Sequence, residues 1–275
     1  MYLTLYEYLE EIGYENRLVS AEAIVSALRQ RKSRAEIDCI RQAIAHTQEI
    51  FADVTAVIRP STTERKIARY MKEQVAEAGL ELAWEQTVCP AVFTGPEHAG
   101  AHYAPTDRPV EPGHVVNIDF GVKYNGYCSD MQRTFYVRRD AQDAYPEVHA
   151  GFDTIVAAIE AARRAMRPGV PGLDVDRAAR EIVVSNGYDE FPHGLGHQIG
   201  RFAHDGTALL GPAWEKYATK PYQPLEENMV FTLEPRLTVP GAGVVTIEEI
   251  VIVTQSGAEY LSTPQSELIA IEPIT

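Results

Sequence analysis

Cysteine is scarce in this chain, with three residues at positions 39, 89 and 128 among 275 and no C-x-x-C pair. An odd, scattered set supports neither a disulfide framework nor a thiolate zinc site, and suits a reducing compartment. Long apolar runs are lacking as well: no stretch approaches the roughly 18–20 residues that a membrane-spanning helix needs. The opening residues, MYLTLYEYLEEIGY, have no basic segment leading into an apolar one, so no signal peptide is read there and a cytoplasmic location is expected. Basic charge is in the minority, 25 Lys and Arg against 39 Asp and Glu, for a formal net charge of −14. Nucleic-acid backbones and anionic membranes are therefore poor partners.

What is present is an ordinary globular composition, 45% hydrophobic and 23% charged. The length suits one large domain or two modest ones, and either buries a real core. Residues 1–30 are a tyrosine- and glutamate-rich lead-in, in which SAEAIVSALRQ carries a Ser N-cap signal before an apolar-periodic run. Ile37, Ile40, Ile44 and Phe51 recur at helical spacing and predict a helix over about 34–55. In the segment 57–80, Pro60 breaks the chain, Ser61 or Thr62 caps a second helix and Gly79 closes it.

The segment 165–188 repeats that pattern. Arg59-Pro60 answers Arg167-Pro168, Arg69 answers Arg177, Val75 answers Val183 and Gly79 answers Gly187, each pair 108 apart (187 minus 79, 167 minus 59). An internal duplication is expected, each half being a helix pair followed by strands, with the second helices near 142–166 and 173–186. Convergent helix punctuation is the bland alternative. After the first helix pair comes the hairpin HVVNIDFGVKYNGYCSDMQRTFYV, with Asn125-Gly126 as its turn. After the second come a strand in HGLGHQIG and the hairpin NMVFTLEPRLTVPGAGVVTIEEIVIVT, turning at Gly241-Ala242-Gly243. Each hairpin carries an acid on each arm: Asp119 with Asp130, and Glu234 with Glu248.

Those acids sit in apolar, β-rich surroundings such as VVNIDFG and MVFTLEP. Burying a lone carboxylate costs several kcal/mol unless it is paired, protonated or bound to a metal. In its own strand neither Asp119 nor Glu234 has a basic neighbour except Arg236, two residues past Glu234. One such acid is usually a turn cap. Four of them on duplicated hairpins converge if the halves face each other, and then need cations between them. An oxygen-rich set with one imidazole suits paired Mn²⁺, Fe²⁺, Co²⁺ or Zn²⁺. The segment HGLGHQIGRFAH supplies three of the eight histidines, in a Gly-punctuated run.

LRQRKSRAEI, GAHYAP, NIDFGVKYNGYCSDMQRTF, HGLGHQIGRFAHD, FTLEP and IEEIVIVT together resemble the pita-bread metallopeptidases. That family holds methionine aminopeptidase, Xaa-Pro aminopeptidase and prolidase, with creatinase as a metal-free cousin. The resemblance implies an α+β pita-bread fold of two pseudo-symmetric halves, each with helices packed on a curved, mainly antiparallel sheet. It implies a catalytic domain over 31–275, preceded by a lead-in or linker remnant at 1–30, where relatives carry a separate N-terminal domain. As metal ligands it implies Asp119, Asp130, His197, Glu234 and Glu248, with Asp130 and Glu248 shared by two divalent ions, manganese first and cobalt, iron or zinc as alternatives. Glu234 would also shuttle a proton, His102 and His204 would contact substrate and transition state, and His193 would line the pocket.

The expected substrate is a short peptide cut at its N-terminal bond, in the manner of an Xaa-Pro aminopeptidase or prolidase. Methionine aminopeptidase action and a creatinase-type reaction on a small non-peptide molecule are the alternatives, and a homodimer is common in such folds. Two departures bear on proline specificity. Thr246-Ile247-Glu248-Glu249 lacks the basic residue of the proline-directed signature, two places before the glutamate, and Gln198 stands where many relatives have glycine.

Overall fold

The computed structural model describes residues 2–96 and 103–273. Six helices run through them: α1 (Tyr2–Glu11), α2 (Glu22–Gln30), α3 (Arg34–Val54), α4 (Glu64–Glu77), α5 (Pro146–Ala165) and α6 (Gly172–Ser185). The long expected helix is α3. It opens on a capping box, in which the Ser33 hydroxyl accepts from the Glu36 amide at 3.4 Å and the Glu36 carboxylate accepts from the Ser33 amide at 2.7 Å. Its face of Ile40, Ala43, Ile44, Thr47, Ile50, Phe51 and Val54 is buried, the spacing of one helical stripe.

Two expected caps are displaced by one or two residues. The α4 cap is Thr63, whose hydroxyl accepts from the Lys66 amide at 3.3 Å. Ser61 and Thr62 are taken by a backbone ladder with Val110, through Ser61 N to Val110 O and Val110 N to Thr62 O, each 2.8 Å. At α2 the cap position is Ala21, yet the Ser20 hydroxyl still accepts from the Glu22 amide at 3.1 Å. Helix α5 starts at Pro146 instead of near 142, because Asp143 is held by the Tyr136 hydroxyl at 2.8 Å and the Arg139 amide at 2.9 Å.

The duplication is visible bond for bond. Helices α4 and α6 each have 14 residues and begin and end 108 positions apart (172 minus 64, 185 minus 77). Beyond each, a glycine takes positive φ, +67° at Gly79 and +86° at Gly187. That turn lets the next amide reach back, Leu80 N to Val75 O at 3.0 Å and Tyr188 N to Val183 O at 3.3 Å.

The first half carries a sheet of Ala91–Thr94, Val115–Phe120, Met131–Val137 and Ile269–Ile271, antiparallel except for the last pairing. Its hairpin narrows to Val122–Tyr124 against Tyr127–Cys128, with Asn125 and Gly126 both at positive φ as a two-residue turn requires. The hairpin expected in the second half is split in two. Val230–Leu233 pairs with Glu249–Thr254, and Arg236–Val239 pairs with Gly243–Thr246. Both arms break at the acids. Pro235 has no amide to give to a ladder. The Glu248 amide leaves its own hairpin to bond the Gln132 carbonyl of the first half at 3.1 Å.

There are two apolar cores, one around α3 and α4 on the first sheet and one around α5 and α6. Each also takes in strand residues of the other half, Val230, Ile250 and Ile252 in the first and Val115 and Tyr136 in the second. Between them runs a polar seam: the Asn117 side-chain amide and the Thr134 hydroxyl both donate to the Thr246 carbonyl, at 2.9 and 2.6 Å. Beside it Arg133 and Glu249 form a buried ion pair, Nη1 to Oε1 3.0 Å and Nη2 to Oε2 3.2 Å. Glu249 also accepts from the Ser262 hydroxyl and the Gln265 amide. That seam locks the two strand pairs in one register, which fixes where their acids point.

Candidate metal centre

The HGLGH segment forms less strand than expected, only Gly196–His197 against Leu209–Leu210. It is nonetheless pressed against the strand that leads to Glu234. A Cβ at Gly196 would stand 1.9 Å from the Thr232 carbonyl oxygen, so only glycine permits this approach. The contact is sewn by Glu234 N to Leu195 O at 2.8 Å, His197 N to the Thr232 hydroxyl at 3.2 Å and Ile199 N to Val230 O at 3.2 Å. His197 is thereby set against the acids of both halves. Its Nε2 lies 3.4 Å from Glu234, 3.8 Å from Asp130 and 3.9 Å from Glu248.

Asp130, His197 and Glu248 offer ligand atoms all within 4.8 Å of one another. The charge of Asp119 acts on Asp130, which places it beside this group. All five residues expected as ligands line one cavity of about 710 Å³, together with His193 and His204. His204 stacks on His197 with ring centroids 3.9 Å apart. His193 Nδ1 lies 2.9 Å from the Gly194 carbonyl, an acceptor only, so that nitrogen carries the proton. His102 lies outside the described residues.

Burial raises the pKa of Asp119, Asp130, Glu234 and Glu248, and the negative neighbours push Asp130, Glu234 and Glu248 further up. Burial pulls His197 down to about 3, with His204 adding to the effect. Two oxygens in the cluster, Asp119 Oδ1 and Glu248 Oε1, are buried with no hydrogen-bond partner. Buried polar atoms are rarely left so. Four carboxylates, one neutral imidazole and two unpartnered oxygens are the donor set that divalent cations satisfy. The residues fit the metal that the sequence pointed to.

Gln132 escaped the sequence reading although it stands two places past Asp130, on the same strand face. Its side-chain amide donates to Glu234 at 3.3 Å and its side-chain oxygen accepts from the Thr246 hydroxyl at 3.1 Å. Glu64, fully buried at the start of α4, also went unnoticed. Its carboxylate accepts from the Thr94 amide at 3.1 Å, the Tyr103 hydroxyl at 3.0 Å, and the Thr106 amide and hydroxyl at 2.8 and 2.7 Å. Gln198 turns away from the cavity toward Gln30 and Met229. Thr246 lines it. The lead-in is tied to the site as well: Arg29 pairs with Asp205, which accepts from the Arg201 and Gly206 amides and so braces the loop carrying His204.

Residues 38–255 match the profile of metallopeptidase family M24. The chain belongs to that family. A curated M24 relative, a peptidase of Staphylococcus aureus strain MRSA252 that is itself described as uncharacterized, is 32% identical over 90% of this chain and 66% of its own length. The chain therefore spans just under two thirds of that relative. Among solved structures, the X-Pro aminopeptidase of Thermotoga maritima is 31% identical with a TM-score of 0.79, over 90% of this chain and 67% of that one. The dipeptidase PepE of Mycobacterium ulcerans is 32% identical with a TM-score of 0.81, over 93% and 65%. A prolidase from Thermococcus sibiricus is 29% identical with a TM-score of 0.81, over 96% and 69%. The fold is the α+β pita-bread fold of these M24 structures, as the sequence led us to expect. Among the described residues no helix is long and apolar enough to cross a membrane.

Proposed function

We propose that residues 31–275 form the catalytic unit of a two-metal peptidase of Xaa-Pro aminopeptidase or prolidase type, with residues 1–30 as its lead-in. One observation carries the reading: buried acids from both halves meet His197 in a cavity and keep unpartnered oxygens there. Asp119 would hold one ion, His197 and Glu234 the other, and Asp130 and Glu248 both. Bound there, divalent ions supply an acidified water and a Lewis acid for the scissile carbonyl.

This chain's own side chains do the rest. Glu234, held by Gln132 at 3.3 Å, takes the proton of the attacking water and returns it to the departing amine. His204, on the face of His197, donates toward the developing oxyanion. His102 is given the same task on the strength of the resemblance. The acids attract a free α-ammonium group. Manganese is the first choice of ion, and three free cysteines fit a cytoplasmic enzyme.

A panel of di- and tripeptides, with and without Pro in second place, tests the proposal on metal-stripped and Mn²⁺-reconstituted protein. Hydrolysis is expected only after reconstitution, and N-acetylation of the substrate should abolish it. Full activity in the stripped protein, or indifference to acetylation, would overturn the assignment.

A further inference from the structure

Besides Arg133 and Glu249, one more arginine–carboxylate pair is buried on both sides among the described residues. It is Asp176 and Arg180, one turn apart on α6 and 1% and 7% exposed. Arg180 Nε and Nη2 donate to the two carboxylate oxygens, each at 2.9 Å. A buried pair of this kind generally brings a fold no gain over apolar side chains of the same shape. Its place is explained by what else it holds.

It holds the chain that leads to His197. Arg180 Nη1 donates to the Phe191 carbonyl at 2.8 Å, and Nη2 to the His193 carbonyl at 2.9 Å. Asp176 Oδ1 accepts from the Leu195 amide at 3.0 Å. Three alternate residues, 191, 193 and 195, are thus fixed by one ion pair. The guanidinium also lies over the Phe191 ring, 3.9 Å from its centroid. The Leu195 carbonyl, on the other side of the same residue, accepts from the Glu234 amide at 2.8 Å. His197 follows two residues on. One fixed point therefore serves both His197 and Glu234.

The duplication sharpens the point. At the 108-residue offset Asp176 answers to Ala68 and Arg180 to Lys72 (176 minus 68, 180 minus 72), which cannot form such a pair. The repeated helix carries it only in the half that supplies the imidazole.

We propose that Asp176 and Arg180 are positioning residues that hold His197 and Glu234 in place, and so set the affinity of the ion those two would share. The ion held by Asp119 is left unaffected. The inference rests on the two-ion reading for what is bound, but the positioning is read without turnover and, in part, without metal.

The deciding variant is the double substitution Asp176→Leu with Arg180→Met, which removes both charges together and so should still fold. Calorimetric titration of stripped protein with Mn²⁺ should give two ions for the wild type. The double variant should bind one ion as before and the other about 10- to 100-fold more weakly. Arg180→Lys keeps the charge but loses the fork that reaches both carbonyls. It should show the same selective loss to a smaller degree, and it carries the test if the double variant does not fold. Amide exchange of the stripped proteins is the second arm. The Leu195 and Glu234 amides should exchange at least about tenfold faster in the variants, with those of Val115–Phe120 unchanged. Two ions bound as in the wild type, or both weakened alike, overturns the proposal. No uptake by the wild type overturns the two-ion reading instead, and the exchange arm then decides the positioning alone: unchanged rates at Leu195 and Glu234 overturn it.

Discussion

Asp130→Asn is expected to abolish peptide hydrolysis, by on the order of a thousandfold or more in kcat/KM, while making the metal-stripped protein more stable. The two effects have one cause. Asp130 is 5% exposed and faces Asp119 and Glu234, whose charges, after burial itself, drive its pKa up. Without cations its negative charge is a burden on the fold. Asparagine keeps the shape and removes the charge, which should return about 1–3 kcal/mol to the stripped protein. With Mn²⁺ present the order reverses, because the variant loses a shared ligand and the stabilisation that binding gives to the folded state. Urea denaturation with chelator and with Mn²⁺ reads both arms. A variant equally destabilised in both conditions would show that Asp130 is an ordinary structural carboxylate.

The second large effect is on pH dependence. Asp119 is pushed up to about 7, and Asp130, Glu234 and Glu248 are raised too, all chiefly by burial. An acid whose folded pKa lies above its unfolded value binds more protons in the folded state, so stability falls as pH rises. The window opens near the ordinary carboxylate range, about 4, and runs through neutrality. His197, pulled down to about 3, and His193, also lowered, act the other way: their contribution is full above the ordinary imidazole range and lost as pH falls below it. Four acids oppose two imidazoles. Stripped protein should therefore lose a few kcal/mol of stability between about pH 5 and 8, at roughly 1.4 kcal/mol per unit of pKa shift for each group. With Mn²⁺ bound that loss should disappear. A flat profile in the stripped protein would mean that the carboxylates are not forced together.

Which parts of this were legible in the sequence follows from how local each signal is. The 108-residue offset held to the residue in α4 and α6, because helix starts and glycine stops are written in adjacent side chains. The four acids drew notice because a carboxylate amid apolar, β-rich surroundings is anomalous by itself, whereas their role as ligands, and that of His197, came from the family resemblance. The caps slipped where a distant partner intervened, as Val110 does at Ser61 and Thr62. The second hairpin split for the same reason: the Glu248 amide bonds to Gln132, 116 positions earlier (248 minus 132). The Arg133 and Glu249 pair was hidden although both residues stand beside expected ligands. Strand alternation turns Glu249 to the face opposite Glu248, and nothing in the order of residues says that Arg133 waits there. Glu64 was invisible because its four donors lie on segments 30 to 42 positions downstream.

The most direct measurement is the metal stoichiometry of stripped protein, by calorimetric titration with Mn²⁺ and elemental analysis of the product. The account predicts two ions per chain for the wild type and a loss of at least one in Asp130→Asn. A wild type that takes up none, or a variant that binds as the wild type does, would contradict it.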